Sequence, residues 1–560
     1  MQGSEHNPAQ QTAPVTQAAQ ASGFEQTMSP KIQQSQWDRH ITVKKPENKY
    51  KPDITDFVFA LISFVLGYIF SRWVLFSWQG WGVTVFTTIY LLITTIYLIR
   101  KGAFVKSKAA IFWMAVTWLV GVSYSLWVNQ GFAAVRSLFL FCSAVYYILV
   151  ASGNTLLGRT SNFLFVDGIN ATIIIPFRNF INQYVSFSAI AKGEKRVGIL
   201  PTLLGITVAI ILAAIIIPLL ETADAGGFGM ILGFLRPTFG PDFFDSLIYM
   251  IFAIPVAAYL YGLISGTAYK KGTDIIKRES AEKTVAAMRI LQPATINIVL
   301  GAVCALYLVF IFSQLPYFFS AFTGSRPEGW LNYAEFARQG FFELVTIAGI
   351  NLAILTISNL FSKKHRVDSH LLKIFNIALA LITLVLIATA FSKMALYIGV
   401  YGLTMRRLLP CVFMIFMAIV FIALIALQKW NFSIVRMALV IGAVMLVGLS
   451  LSNPDATVVR YNANRYLVGT LSDFDSEIAW RAGFAGVLPA IEVYNNTDNE
   501  QLRRELRWFL SAHNTIRGGN RNHLISFEGQ RAVDAINEGG FLPPTPNQPW
   551  AFRDAHLGID

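Results

Sequence analysis

The chain has 560 residues, of which 54% are apolar and only 14% are charged, and its formal net charge is +13. This composition excludes an ordinary soluble protein, because the apolar surface would far exceed what a polar exterior can cover. We therefore expect an all-α fold of the polytopic membrane class.

The first 50 residues are a mixture of Gln, Ala, Ser and Pro with almost no periodic apolar pattern. Such a segment cannot offset the entropy of ordering, so residues 1–50 are predicted to be a disordered cytoplasmic tail. The apolar core of a cleavable signal peptide is missing, and the apolar run that starts at Ile54 is expected to act as an uncleaved insertion signal.

A transmembrane bundle is predicted over residues 51–453, because eleven apolar stretches there approach the roughly 20 residues that cross a bilayer core. They are residues 55–71, 81–99, 109–128, 134–151, 197–219, 246–266, 294–314, 340–361, 374–391, 409–428 and 437–452.

The connections between these spans differ in positive charge. Six alternate regions hold 26 Lys and Arg residues, whereas the intervening connections hold eight. Positively charged loops stay on the cytoplasmic side, so the N-terminus is predicted to be cytoplasmic and residues after about 453 extracytoplasmic. The basic segments Lys192–Arg196 and Lys270–Arg289 are expected to attract anionic lipids at the cytoplasmic face of the bilayer.

Residues 162–190 combine helically spaced apolar residues with polar residues that include Asp167 and Arg178. We interpret this segment as an interfacial amphipathic helix. The alternative is a further spanning helix, which would bury Asp167 or Arg178 in the membrane.

Residues 454–540 are predicted to form a small helical extracytoplasmic domain with no lysine, and residues 541–560 a Pro-rich tail. Asn453-Pro454-Asp455 is typical of a helix start. Thr497 and Glu500 are predicted to form a capping box. A further helix is expected from Phe527 to Asn537, ending at Gly539.

No catalytic motif is recognisable, so any catalytic residues are unknown. The three cysteines (Cys142, Cys304 and Cys411) all fall in apolar spans, and the seven histidines show no metal-binding spacing. We therefore expect no metal and no cofactor. The expected partners are the lipid bilayer and an envelope protein. We expect no binding to nucleic acid.

The densest polar and aromatic cluster is predicted at the outer mouth of the seventh and eighth spans. Glu343 enters the membrane there, and an acid at that depth is a candidate functional group by default. The alternative is that Arg338 simply neutralises Glu335 or Glu343 among interfacial aromatic residues. The candidate binding residues of this cluster are Gln314, Tyr317, Tyr333, Glu335, Arg338, Glu343 and Asn351. Secondary candidates elsewhere are Glu221, Asp224, Arg407, Asn462 and Arg465.

The stretch Tyr333 to Leu344, read as Tyr-Ala-Glu-Phe-Ala-Arg-Gln-Gly-Phe-Phe-Glu-Leu, resembles a segment of bacterial polytopic membrane proteins in domain-of-unknown-function families 4153 and 4173. Weaker similarities are Leu219-Leu220, Tyr401-Gly402-Leu403-Thr404 and the residues Asn453, Asn462 and Arg465. The resemblance covers roughly residues 195–540. It implies a multi-pass protein of the bacterial cell (inner) membrane, and it carries no established activity.

Three functional classes remain open. The favoured one is a non-enzymatic envelope component for sensing, scaffolding or assembly, in which the bundle anchors the outer helical domain. A small-solute or lipid transporter would hold its substrate near mid-membrane polar groups. A membrane-embedded transferase acting on lipid-linked substrates usually needs acids in its first outer loop, and the loop Arg72–Gly80 contains none.

Overall fold

The computed structural model describes most of the chain after residue 49. The described ranges are residues 50–76, 80–158, 160–188, 241–273, 278–323, 341–363, 369–514 and 526–541, with isolated positions between 205 and 223. The predicted N-terminal tail, fifth span and C-terminal tail therefore lie almost entirely outside the described residues.

Within these ranges the protein is all-α, and the only β contact is an isolated bridge between Leu291 and Ser362. The helices of the bundle are α1 (Ile54–Phe70), α2 (Trp81–Arg100), α3 (Lys108–Leu126), α4 (Ala133–Ala151), α5 (Leu164–Ile169), α6 (Ile175–Arg178), α7 (Asn182–Ser188), α8 (Pro241–Ala268), α9 (Arg278–Ala287), α10 (Pro293–Thr323), α11 (Phe341–Phe361), α12 (His370–Tyr401), α13 (Met405–Ala426) and α14 (Ile434–Leu451). Five more follow: α15 (Pro454–Leu467), α16 (Ser476–Ala482), α17 (Phe484–Asn496), α18 (Glu500–Asn514) and α19 (Phe527–Glu538).

Ten helices in the described part of the chain are long and apolar enough to cross a membrane. They coincide with ten of the eleven predicted spans, so the protein is a multi-pass α-helical membrane protein. The predicted bounds were least accurate for α12, which has 32 residues and continues to Tyr401 instead of ending near residue 391. Lys393 was counted in the connection after this span, but the helix continues past Lys393 and Gly399 and ends only at Gly402, where φ is positive.

Two apolar cores lie within the bundle. The first joins α1 to α4 with α8, where the ring of Phe59 stacks on Tyr97 with centroids 4.1 Å apart. The second joins α10 to α13 around residues such as Leu379 and Phe421. Helix α14 packs against α3 of the first group and α13 of the second.

Several contacts join helix ends that the sequence analysis predicted to share a side. At one end Lys101 forms ion pairs with Asp53 and Asp56, both at 2.8 Å. Asn154, also on that side by prediction, donates to the Thr267 carbonyl at 2.8 Å. At the opposite end the loop before α4 contacts the start of α15. Loops predicted to share a side are thus neighbours in the fold.

The segment predicted as an interfacial helix is broken into α5, a π-helical turn (Asn170–Ile174), α6 and α7. Most of its uncharged polar side chains and Asp167 face the protein, several large apolar side chains point away from it, and Arg178 is exposed. The exposed apolar residues are Phe165, Ile169, Ile173, Phe177 and Ile181, and the buried polar ones include Asp167, Asn170, Asn179, Asn182 and Gln183. Asp167 is thus buried although no long spanning helix forms here, and an interfacial position for the segment stays a prediction.

The five helices α15 to α19 enclose a core of their own, with Val459, Leu506, Phe509 and Ile536 fully buried. Asn453 caps α15 as predicted, its side chain accepting from the Ala456 N–H at 3.2 Å. The predicted capping box at Thr497 was wrong. The side chain of Asn499 accepts from the N–H groups of Gln501 and Leu502 instead. Helix α18 therefore begins at Glu500, two residues later than a cap at Thr497 would place its start.

Candidate functional site

Most of the predicted outer-mouth cluster lies outside what the structure describes. This applies to the side chains of Gln314, Tyr317, Tyr333, Glu335 and Arg338, and to the secondary candidates Glu221 and Asp224. The two members that are described, Glu343 and Asn351, share helix α11 but not a site. Glu343 is exposed in the first turn, whereas Asn351 is fully buried eight residues later.

Asn351 is at the centre of a small polar cluster inside the second core. Its Oδ1 accepts from the Tyr307 hydroxyl at 2.9 Å, and its Nδ2 donates to Thr383 Oγ1 at 2.9 Å. The cluster thus joins α10, α11 and α12 through one amide. Polar bonds of this kind hold helices together in lipid, where no water competes for the donors.

Glu343 has a described neighbour that the sequence analysis did not consider. Its carboxylate interacts electrostatically with Lys393, which projects from α12. The partner proposed from sequence was Arg338, which lies outside the described residues. A charged pair between α11 and α12 is consistent with a structural role for Glu343.

Three secondary candidates converge on one turn, residues 398–403, at the end of α12; we call it the α12 turn. Asn462 is fully buried against Leu403, and Arg407 donates to the carbonyls of Tyr401 and Gly402. Arg465 donates to the carbonyls of Ile398 and Gly399 at 3.3 and 2.7 Å. These side chains satisfy the carbonyls that a helix leaves free at its C-terminus.

Gly402 is the residue that makes this turn possible. Its φ of 77° and ψ of 178° lie in a region that is essentially restricted to glycine. A Cβ atom at this position would lie 2.5 Å from Asn462 Oδ1. The close approach of Asn462 to the backbone therefore requires glycine.

A second contact region, which we call the α3–α4 junction, joins the loop between α3 and α4 to the starts of α15 and α19. Glu528 accepts from the Val128 N–H at 3.1 Å and from the side-chain amide of Asn453. Asp455 accepts from the Gly131 N–H at 3.1 Å. Both acids are buried, so α15 and α19 are bound to the bundle by carboxylates that water does not reach.

Arg136 supplies the positive charge of this junction. It is 1% exposed, and its guanidinium carbon lies 3.8 Å from the centre of the Tyr124 ring. It donates to the carbonyls of Trp127 and Val128 at 3.2 and 2.6 Å. It also interacts electrostatically with Asp455 and Glu528, which offsets part of the cost of burying three charges.

The protonation of both acids is shifted by this environment. Burial raises the pKa of Asp455 to about 6, although the N–H groups of Gly131 and Gln130 and the charge of Arg136 act in the opposite direction. Burial also raises the pKa of Glu528 above its ordinary value. The junction therefore holds carboxyl groups that bind protons more readily than exposed ones.

Sequence reasoning missed Arg136 and Glu528 as site residues. Asn453 and Asp455 were recognised as a helix start, and Asn453 also as part of the family resemblance, but neither was selected as a site residue. A useful signal was available for Arg136, because it is the only charged residue between Lys108 and Arg159. Glu528 carried no comparable signal, since its two hydrogen-bond partners, Val128 and Asn453, lie 400 and 75 positions earlier in the chain.

Comparison with known proteins gave one family match. A family model described as "Domain of unknown function (DUF4153)" matches residues 114–480, from α3 to α16. The match begins earlier than the resemblance noticed in sequence, which started near residue 195. No match to a curated protein and no match to a solved structure was found.

Proposed function

Because the chain belongs to the DUF4153 family, whose description assigns no activity, we propose a role from its geometry. The chain is a non-enzymatic membrane component that holds its C-terminal helical domain in a fixed position against the bundle. A domain fixed in this way serves sensing, scaffolding or assembly in a bacterial envelope.

One observation carries this proposal: the domain is attached to both cores of the bundle. Glu528 and Asp455 bind the loop between α3 and α4, which belong to the first core. Asn462 and Arg465 bind the α12 turn, which belongs to the second. A shift of one helix group relative to the other would therefore displace the domain, which is the coupling that a sensor or scaffold needs.

The proposed orientation puts the N-terminus in the cytoplasm and residues 454–540 outside. The clustering of the positively charged connections at one end of the bundle supports it. Ala151 and Ala268, at the ends of α4 and α8, lie on the same side by virtue of the Asn154–Thr267 contact. An additional crossing at residues 197–219, as the sequence predicts, is consistent with this arrangement and gives eleven spans.

The proposed lipid partner is an anionic bilayer surface on the cytoplasmic side. Helix α9 has no buried residue and carries the exposed Lys283, and the exposed Lys270 precedes it. Exposed cations next to a membrane attract anionic headgroups at about 1 kcal/mol each. Enrichment of anionic over neutral lipids around the protein in a bilayer of mixed composition would be the expected consequence.

A small-solute or lipid transporter is the second candidate, and the Asn351 cluster favours it because polar groups at that depth often mark a substrate path. Against this, both polar atoms of the Asn351 amide are occupied by Tyr307 and Thr383. A group that is fully engaged with neighbouring helices is better suited to holding them together.

The test is site-specific photo-crosslinking in living cells. A photoreactive residue replaces Arg504, an exposed position on α18. We expect crosslinks to an envelope protein in the otherwise wild-type chain, and their loss when Asn462→Leu and Glu528→Gln release the domain. The control is Asn496→Ala, which alters an exposed amide on α17.

Unchanged crosslinks in the released variant, at equal amounts of protein in the membrane, would contradict the proposal. So would the absence of any envelope partner in the wild-type chain. Solute uptake by vesicles containing the purified protein would instead favour the transport candidate.

A further inference from the structure

The buried carboxyl group of Asp167 is not used by either contact region described above. It lies on α5 near the inner end of the first core and is only 2% exposed. Its Oδ1 accepts from the Leu156 N–H at 2.8 Å. Its Oδ2 is buried with no hydrogen-bond partner among the described residues, and no described Lys or Arg forms an ion pair with it.

A second unsatisfied oxygen occurs one helical turn later. Asn170 is 6% exposed, and its Oδ1 is also buried without a hydrogen-bond partner in the described part of the chain. Residues three apart lie on the same face of a helix, so both oxygens face the protein from one side of this segment. Asn170 is also the first residue of the π-helical turn, a distortion that is frequent at functional sites.

Two hydroxyl groups complete the surroundings. Tyr146 of α4 donates to Thr160 Oγ1 at 2.9 Å, and both side chains are buried. Tyr146 is close enough to Asp167 for the two to interact electrostatically. The buried ligand atoms that this part of the fold offers are therefore a carboxylate, an amide carbonyl and two hydroxyls, all of them oxygen.

These oxygens have the chemistry of a hard-cation site. A buried acceptor without a donor is costly, and in native proteins an ion or an ordered water commonly satisfies it. Oxygen donors favour alkali and alkaline-earth cations over transition metals. One carboxylate balances a single positive charge, whereas calcium sites in proteins usually collect several carboxylates.

We propose that Asp167 Oδ2 and Asn170 Oδ1, with the hydroxyls of Tyr146 and Thr160, bind a monovalent alkali cation. Bound there, the ion would hold the segment from α5 to α6 against the inner end of α4. This inference is independent of the proposed role of the C-terminal domain, because neither of its attachment regions includes these residues.

The experiment measures binding of radioactive sodium and rubidium ions, the latter as a substitute for potassium, to the purified full-length protein. Choline chloride keeps the ionic strength constant. We expect saturable binding of at least one ion. Asp167→Asn should weaken it about tenfold or more, since removing even a supporting group at a metal site typically costs 10–100-fold in affinity.

Asn170→Leu is the second variant, in case Asp167→Asn does not fold, and it should weaken binding in the same direction. Glu477→Gln is the matched control, because this acid is exposed on α16 and pairs only with Arg481 in the described structure. Two outcomes overturn the proposal: no saturable binding of either ion by the wild-type chain, or unchanged binding in the folded Asp167 and Asn170 variants.

Discussion

The side-chain amide of Asn462 pairs with both backbone polar groups of Leu403. The Leu403 N–H donates to Asn462 Oδ1 at 2.8 Å, and Asn462 Nδ2 donates to the Leu403 carbonyl at 2.7 Å. An amide can satisfy a backbone donor and acceptor together in this way only at a fixed orientation. Helix α15 is therefore attached to the α12 turn with a defined register.

Replacing Asn462 with Ala should loosen the C-terminal domain. Two buried backbone groups lose their partners, which predicts a loss of about 2–4 kcal/mol in the free energy of unfolding. Hydrogen exchange in detergent or nanodiscs should show faster exchange of the Leu403 amide. The control Asn496→Ala removes an exposed amide and should change stability by less than about 0.5 kcal/mol. Equal protection of Leu403 in both variants would contradict the assignment.

Gly402 and Gly469 form a matched pair for testing the α12 turn. Both have positive φ, 77° and 76°, but a Cβ at Gly469 meets no atom within 4 Å, whereas at Gly402 it meets Asn462. Gly469→Ala should cost about 1–2 kcal/mol of backbone strain. Gly402→Ala should lower the thermal midpoint further, because it also displaces Asn462. If the two variants have the same thermal midpoint of unfolding, Asn462 does not approach the turn as described.

The α3–α4 junction should make stability depend on pH. The folded-state pKa values of Asp455 and Glu528 are raised, that of Asp455 to about 6, so the folded protein retains protons that the unfolded chain has already released. Stability should therefore be highest below about pH 4, fall as the pH rises to about 6, and then level off for these groups. Thermal unfolding across this range measures the effect.

The charged groups that face each other at this junction are Arg136, Asp455 and Glu528. A chain carrying Asp455→Asn and Glu528→Gln should therefore show a smaller fall in stability between pH 4 and 6 than the wild type. Because other groups also titrate, the difference between the two curves is the relevant quantity. Parallel curves would show that these acids are not buried together in solution.

Glu343 and Lys393 should be energetically coupled. Glu343→Gln alone leaves the half-buried Lys393 without its neighbouring charge, while Lys393→Met alone leaves Glu343 exposed to solvent or headgroups. A double-mutant cycle should give a coupling energy of about 0.5–1 kcal/mol. If the pair is only structural, we expect the Glu343→Gln variant to keep its function. If Glu343 serves transport or ligand sensing, we expect this variant to lose its function.

Sequence patterns predicted the membrane helices well because each span is a local feature. Asn453 was also recognised correctly, since the cap and the following proline are adjacent in sequence. Local reasoning was wrong at Thr497, because Asn499 offers a competing cap two residues later. It also ended α12 too early, because Lys393 was counted in the connection after the span rather than in the helix.

The contact regions were less predictable than the helices. Arg407, Asn462 and Arg465 were selected individually, but nothing in the sequence indicated that all three meet the α12 turn. The contact between Val128 and Glu528 joins residues 400 positions apart, and it depends on how the helices pack. Long-range pairs of this kind have no local periodicity from which they could be inferred.

The most direct test of the central claim is the accessibility of two engineered cysteines. In a chain whose native Cys142, Cys304 and Cys411 are replaced by Ala, Asn495→Cys reports on α17 and Ala286→Cys on α9, both at exposed positions. A membrane-impermeant thiol reagent added to cells with a permeable outer envelope should label residue 495 and should label residue 286 only after the inner membrane is opened. Labelling of residue 286 alone in intact cells would contradict the account, because the C-terminal domain and its attachment to the α12 turn would then face the cytoplasm.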